Sequence, residues 1–400
     1  MPDVVSCHNW VVTGRERILA AFQGGALDTV PFAPNIYYWF YNHQVRGTLP
    51  EEIAGAEHPF DVLRYLGADI LARWDTQYAT KEVYSAGEFR DAFGGASRFD
   101  RPVTTAFNIY PPHTNARLRK FVTPHGTLTH TWTLSEEAGA DFESEFWWKD
   151  WSDYRAIRFL LESREYVFDA AEFRSWKNRV GGDGVMMVHL TQSPLKTFHW
   201  LAGPENASLF LIDHPGEMKE LAQIHEEKAL ALLREIVDEP ECEVFMSLDN
   251  LDSAFYPPYF YEDYCHSFYS RAAGIIHGRG KHLCVHACGH QKALLPLVGR
   301  SRVDCLEGVT PPPMGDVELK DVRDATGYED FVVNGGMDAS RMEADRDAEE
   351  FLHRYTRDLF RSMGGRRRFI YASSCATSIL TPWENLLYVR DAAREYGRTG

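Results

Sequence analysis

The sequence predicts an α/β chain folded as a (β/α)8 TIM barrel, with an N-terminal helical arm and an inserted β-hairpin region. Three observations carry this reading. Eight short apolar runs of strand length recur along the 400 residues, segments with helical patterning separate them, and polar or metal-ligating residues stand just where several runs end. Without an internal repeat or a long low-complexity linker, residues 1–400 read as one domain, interrupted by an insertion over about 93–151.

Thr13-Gly-Arg-Glu16 has capping-box spacing, so Arg15 to Phe22 is predicted as an amphipathic helix stopped at Gly24-Gly25. The first barrel strand is placed at Phe32 to Tyr38. The second is Ala68 to Arg73, preceded by a helix over Asp61 to Leu66 that Gly67 ends. Lys120 to Leu134 alternates around a glycine-centred turn and predicts an antiparallel hairpin, with Phe146, Trp147 and Trp148 behind it. Helix is expected to resume over Asp150 to Arg179. The remaining strands are Val185 to Leu190, Val244 to Leu248, His282 to Cys288, Val303 to Val309, Phe331 to Asn334 and Phe369 to Ser374. Helices are expected over Ala207 to Val237, Tyr261 to Ile276, Lys292 to Val298, Lys320 to Ala325, Ala344 to Met363 and Pro382 to Tyr396.

With 44% hydrophobic and 25% charged residues, the chain can bury a large core. Fifty-eight acidic against 42 basic side chains give a net charge of -16, which argues against nucleic acid and anionic membranes as partners. No run has the length of a membrane span, and Met1 to Gly14 lacks the basic start and apolar core of a secretory signal. Seven scattered cysteines do not form a disulfide framework, so a cytoplasmic protein is expected. Cys7, Cys242, Cys265, Cys284 and Cys305 read as ordinary small or buried residues.

The chemistry centres on Lys281-His-Leu-Cys-Val-His286-Ala-Cys288-Gly289-His290. Side chains two apart on a strand share a face, so His286 and Cys288 point the same way at the C-terminal end of the fifth strand. Taken alone, the pair is as often structural as metal-binding. Cys375 holds the matching place after the eighth strand, and Glu307 stands near the end of the sixth. One His, two thiolates and a carboxylate are a tetrahedral zinc set, with Glu307 read either as a fourth ligand or as a hydrogen-bond partner of His286.

Arg15-Glu-Arg-Ile-Leu-Ala-Ala-Phe-Gln-Gly24, followed by Asp28-Thr-Val-Pro31, resembles the opening of the uroporphyrinogen decarboxylase superfamily. His286-Ala-Cys-Gly289 and Ser373-Ser-Cys-Ala…Thr381-Pro-Trp-Glu-Asn385 resemble its zinc-bearing methyltransferase branch, that of corrinoid:coenzyme M methyltransferases and cobamide-dependent demethylases. The resemblance spans nearly the whole chain outside the insertion. It implies that His286, Cys288 and Cys375 are zinc ligands. Glu307 matches, in order but not in spacing, the carboxylate ligand of the more distant cobalamin-independent methionine synthase. It also implies a methyl group moving between a corrinoid protein and a small-molecule donor or acceptor. With no Asp-x-His-x-x-Gly run of the corrinoid-binding kind, the corrinoid is expected on a separate partner docking over the barrel mouth.

Decarboxylases of the superfamily carry arginines around the first strand, whereas no arginine lies between Phe32 and Arg46. Burying substrate carboxylates there without cations would be costly. That activity, or another lyase activity, is the second reading. A non-catalytic barrel binding a tetrapyrrole or a partner is the third. His189 and Gln192 after the third strand, and Asp249 and Asn250 after the fourth, are the catalytic candidates; each is by default a satisfied loop residue. Asp75, after the second strand, is similar, and Lys196 and His199 are expected to be exposed. Tyr37 and Tyr38 after the first strand and Tyr256 after the fourth are expected to line the pocket on the cofactor side, where aromatics admit a methoxylated arene as methyl donor. An exposed barrel helix face allows a homodimer.

Overall fold

The computed structural model describes residues 12–75, 79–91, 101–102, 117–135, 140–364 and 367–398. Seven strands form one parallel sheet: β1 (Ile70–Ala72), β2 (Gly184–His189), β3 (Val244–Leu251), β4 (His282–Ala287), β5 (Cys305–Val309), β6 (Val332–Met337) and β7 (Phe369–Ser373). Their order in the sheet is their order in the chain, with every neighbouring pair parallel. That succession, with helices in the crossovers, is barrel-like.

The predicted first strand, Phe32 to Tyr38, is corrected. Phe32 makes a single parallel bridge to Tyr371, and Tyr37–Arg46 is a helix closed by Gly47 in the left-handed region. Tyr371 N donates to Pro31 O and Ala33 N to Tyr371 O, both at 2.9 Å, while Asp69 N donates to Phe32 O at 2.7 Å. Residues 31–33 therefore lie between β7 and the entry to β1, the two edges of the sheet. The aromatic run suits a strand by propensity, but its partners lie elsewhere. Trp39 stacks on Trp383 at 5.7 Å and donates to Thr381 O at 2.9 Å, and Phe40 and Tyr37 are buried one helical turn apart. Packing outweighs a propensity worth only about 1 kcal/mol.

The insertion also reaches further than 93–151. A hairpin-based sheet of Glu88–Asp91, Arg117–Thr123, Gly126–Ser135 and Ala140–Glu145 contains the predicted Lys120 to Leu134 hairpin. A second antiparallel sheet pairs Thr80–Tyr84 with Arg164–Phe168, and this last strand interrupts the helix expected over Asp150 to Arg179. Residues 92–100, 103–116 and 136–139 of the insertion lie outside the described residues, as does Cys7.

Helix starts follow local rules. Thr13 and Glu16 cap each other reciprocally, as do His58 and Asp61 before Pro59–Leu66. Ser193 caps Pro194–Asp213, a helix the sequence does not predict before Ala207; Pro215–Ile236 follows it after a break at His214. The helix expected over Ala344 to Met363 is Ala348–Ser362, preceded by a separate short helix, Ala339–Met342.

Strand register sorts the barrel interior into layers, since registered residues of parallel neighbours share a face. Met246, Cys284, Cys305 and Val332 form one layer, with His189 paired to Met246. One step toward the C-terminal ends come His286, Glu307, Asn334 and Ile370. Cys242, Cys265, Cys284 and Cys305 are buried and unpaired by disulfides, while Cys288 and Cys375 are half-buried. Among the described residues no helix is long and apolar enough to cross a membrane.

Candidate functional site

The polar layer and the loop ends above it make the site. His286 and Glu307 are in register on β4 and β5, and His286 Nδ1 lies 2.5 Å from Glu307 Oε2. The other carboxylate oxygen, Oε1, accepts from Arg73 Nε at 2.5 Å. Arg73 also donates to Leu71 O at 3.1 Å and Ala33 O at 3.0 Å, so all three of its nitrogens are engaged. Arg73 and Glu307 are wholly excluded from solvent and His286 nearly so.

Cys288 follows the end of β4, where Gly289 turns the chain at φ +74; the Asp252 carboxylate occupies the space a side chain there would need. Cys375 follows β7 in a loop held from three sides. Ser374 N donates to Met337 O at 3.0 Å, Thr310 Oγ1 to Ser374 O at 3.0 Å, and Thr377 N to Asn35 O at 2.8 Å. Gly308, at φ +101, lets this loop close on β4: a Cβ there would lie 2.4 Å from Ala287 O and 2.9 Å from Ser374 O.

Charge runs along this chain of contacts. Burial alone would raise the Glu307 pKa, but Arg73 and His286 outweigh it and hold the carboxylate at about 2. Burial likewise disfavours an imidazolium at His286, yet Glu307 and Cys375 raise its pKa to about 10. The Cys375 sulfur is pulled well below the ordinary thiol range, first by a hydrogen bond from Cys288 and then, against burial, by His286. The Cys288 thiol is raised, by that same hydrogen bond and by burial. An ionised Glu307 accepts the Nδ1 proton, which leaves Nε2 as the ring nitrogen for Cys375.

The donor types are those of a zinc site: two sulfurs, and an imidazole whose Nδ1–H is fixed by a carboxylate. The Cys375 thiol, its pKa lowered by its hydrogen bond with Cys288 and by His286, is the one most readily ionised. Both Glu307 oxygens are hydrogen-bonded, Oε1 to Arg73 and Oε2 to His286. Among the described residues, no group of three or more His, Cys, Asp and Glu side chains is arranged so that it could hold a metal ion as it stands. His286, Cys288 and Cys375 lie close enough to perturb one another's titration.

The other sequence candidates fall in separate places. His189 lies in the interior layer below, with Trp74 edge-on at 6.0 Å; burial, partly offset by a hydrogen bond with the Arg73 backbone, lowers its pKa to about 4. Gln192 is buried, and its carbonyl accepts from His225 Nε2 at 2.8 Å. Asp249 is buried and tied to Ser193 Oγ at 2.5 Å, Ser247 Oγ at 2.7 Å and Tyr256 Oη at 3.2 Å. These bonds make Asp249 an anchor for the start of helix Pro194–Asp213, while Asn250 beside it is exposed. The Tyr37 hydroxyl donates to Asp75 at 2.5 Å, with His58 Nε2 on the other Asp75 oxygen at 2.9 Å. The Tyr37 and Tyr256 hydroxyls are thus held by carboxylates, and Tyr38 is half-buried. Lys196 and His199, expected to be exposed, are half-buried and buried respectively, because they belong to that unpredicted helix. Burial lowers the Lys196 pKa, while Asp249 and Cys288 raise it in part.

Sequence reasoning passed over Arg73 and Asn334. An arginine inside an apolar strand, in Ile70-Leu-Ala-Arg-Trp-Asp75, was the available signal for the first.

The fold is similar to that of a methyltransferase from Methanosarcina mazei, with a TM-score of 0.60 and 12% identity over 96% of this chain and 99% of that one. A psychrophilic glycoside hydrolase family 10 endo-β-1,4-xylanase (TM-score 0.34, 10% identity, 56% of this chain and 81% of that one) and the xylanase XynB from Paenibacillus barcinonensis (0.32, 10%, 56% and 74%) align far less well. No curated protein sequence matches the chain. The family model described as uroporphyrinogen decarboxylase (URO-D) matches residues 127–396, which include β2 to β7, His286, Cys288, Glu307 and Cys375, and the chain belongs to that family.

Proposed function

We propose that this protein is a zinc-dependent methyltransferase that moves a methyl group between a corrinoid carried by a separate protein and a small thiol or methoxylated substrate. The observation that carries the proposal is the convergence of His286, Cys288 and Cys375 at the C-terminal ends of β4 and β7, backed by the buried Glu307–Arg73 pair. The fold likeness to a methyltransferase agrees with it. In this reading residues 31–33 complete a closed eight-stranded barrel.

A zinc ion held by His286, Cys288 and Cys375 would supply Lewis-acid polarisation of the sulfur or oxygen that carries the methyl group. The protein's own groups prepare that site. Glu307 keeps the His286 proton on Nδ1 and fixes the ring plane, Arg73 keeps Glu307 ionised, and Cys288 and His286 draw the Cys375 pKa down toward the thiolate. Cys288 and Cys375 are half-buried, so the site opens to the mouth. Around it the loops after β3, β5 and β7 expose Phe255 and Tyr259, Met314, and Leu380, an apolar rim suited to a docking protein. Two neighbouring free thiols persist in a reducing compartment, which favours the cytoplasm.

The decarboxylase reading is weakened by Arg73, the guanidinium of the polar layer, whose nitrogens are all engaged by Glu307 and backbone carbonyls. The test is elemental analysis joined to an assay with methylcobalamin and thiols. About one zinc per chain, lost together with methyl transfer in Cys288→Ser and Cys375→Ser, is expected. A zinc-free protein whose double variant still transfers methyl would refute the proposal.

A further inference from the structure

The polar layer holds one group that the proposed chemistry does not use. Asn334 is wholly buried on β6, in register with Glu307 on one side and Ile370 on the other. Register puts it on the face that carries the Glu307–His286 pair, so its amide points into the barrel interior, one layer below Cys288 and Cys375. Among the described residues neither its Oδ1 nor its Nδ2 has a hydrogen-bond partner. Buried amides are nearly always paired, and an unpaired one beside a reactive cluster calls for a partner from outside the chain. Asn35 is buried with its Oδ1 also unpartnered among the described residues, and its backbone braces the loop of Cys375.

The layer also restricts the partner's charge. Glu307 neutralises Arg73, and each of the three Arg73 nitrogens already donates once, to Glu307, Leu71 O or Ala33 O, so the guanidinium is a poor partner for an anionic group at this depth. A side-chain amide offers one acceptor and a donor pair. Its complement is an uncharged group that both donates and accepts, such as a hydroxyl or a carboxamide.

We infer that Asn334 is a specificity-determining contact that holds a neutral hydroxyl or carboxamide of the small substrate, a short distance from its reacting sulfur or oxygen. The inference rests on the methyltransferase reading for what reacts, but not for the contact itself. The nearly isosteric thiols 2-mercaptoethanol and 1-propanethiol differ in that hydroxyl, which the second replaces with a methyl group, and serve as probes.

The zinc-loaded full chain and Asn334→Leu would be compared by calorimetric titration with each thiol, by methyl transfer from methylcobalamin, and by thermal unfolding. The wild type is expected to favour 2-mercaptoethanol by about tenfold or more, because a site built for a hydroxyl rejects the analogue lacking it. Asn334→Leu should lose that preference, keep its zinc, and unfold no earlier than the wild type, since it replaces an unpaired amide with an apolar group of similar size. Equal binding of the two thiols by the wild type, no binding of either, a preference that survives in Asn334→Leu, or an unfolding temperature lowered by several degrees would each overturn the assignment. Discrimination in binding without methyl transfer to either thiol would leave this contact standing and overturn the methyltransferase reading instead.

Discussion

Replacing Glu307 with Gln tests the buried chain Arg73–Glu307–His286. The substitution keeps shape but removes the charge that faces a guanidinium and an imidazole, with Arg73 and Glu307 both 0% exposed. The Glu307 carboxyl is held at about 2 against an ordinary 4.5, a gap worth about 3 kcal/mol of folding stability. His286, raised to about 10 from 6.5, reports the same interaction from the other side, so it is counted once, at the smaller Glu307 value. The sign differs between the partners. The depressed Glu307 pKa stabilises the fold above pH 4.5 and ceases to do so as pH falls toward 2. The raised His286 pKa stabilises below pH 6.5 and ceases to do so as pH rises through about 10. Glu307→Gln at pH 7 should therefore lose about 3 kcal/mol in denaturant unfolding of chelator-treated protein. For a chain of this length that is about 4 °C in Tm. Its zinc affinity, measured by competition with a chromogenic chelator, should fall about 10- to 100-fold as His286 loses its orienting partner. A variant within about 0.5 kcal/mol of wild type, with zinc affinity within about twofold, would refute the argument that this pair organises the site.

Gly308→Ala should cost about 2–3 kcal/mol and abolish stoichiometric zinc binding, because at φ +101 its Cβ meets two carbonyl oxygens; unfolding curves and elemental analysis check this. Buried His189, His199 and His225 are held neutral, with pKa values of about 4, 3 and 3, so the unfolded chain binds protons that the folded one does not. Stability should therefore fall from about pH 6.5 downward, by about 1.4 kcal/mol per pH unit for each such histidine, and the slope of unfolding free energy against pH measures it. Phe255→Asp combined with Leu380→Asp should raise KM for the corrinoid protein at least about fivefold and leave transfer from free methylcobalamin unchanged, because the two side chains are exposed on the rim and outside the zinc set.

The parts of this protein readable from sequence are those governed by short-range rules. Strand runs alternate with helices over most of the chain, and the seven parallel strands fall where the apolar runs lie. The His286-x-Cys288 spacing sets a shared face because strand side chains repeat every two residues, whatever the strand pairs with. Capping boxes and left-handed glycines at Gly24 and Gly67 likewise mark helix ends locally.

Other features depended on contacts between distant segments. The aromatic run from Tyr37 became a helix because Trp383, Thr381 and Asp75 were waiting for its side chains, and no local pattern contains them. The partners of Glu307 were likewise hidden in the sequence: Arg73, 234 residues away, holds one oxygen and His286 the other. Asn334 looked like the polar end of an apolar strand; only strand register put its unpaired amide in the layer of the reactive cluster. In each case the deciding energy is that of burying a polar or aromatic group against a partner far along the chain. Such a partner exists only once the barrel has brought its strands together.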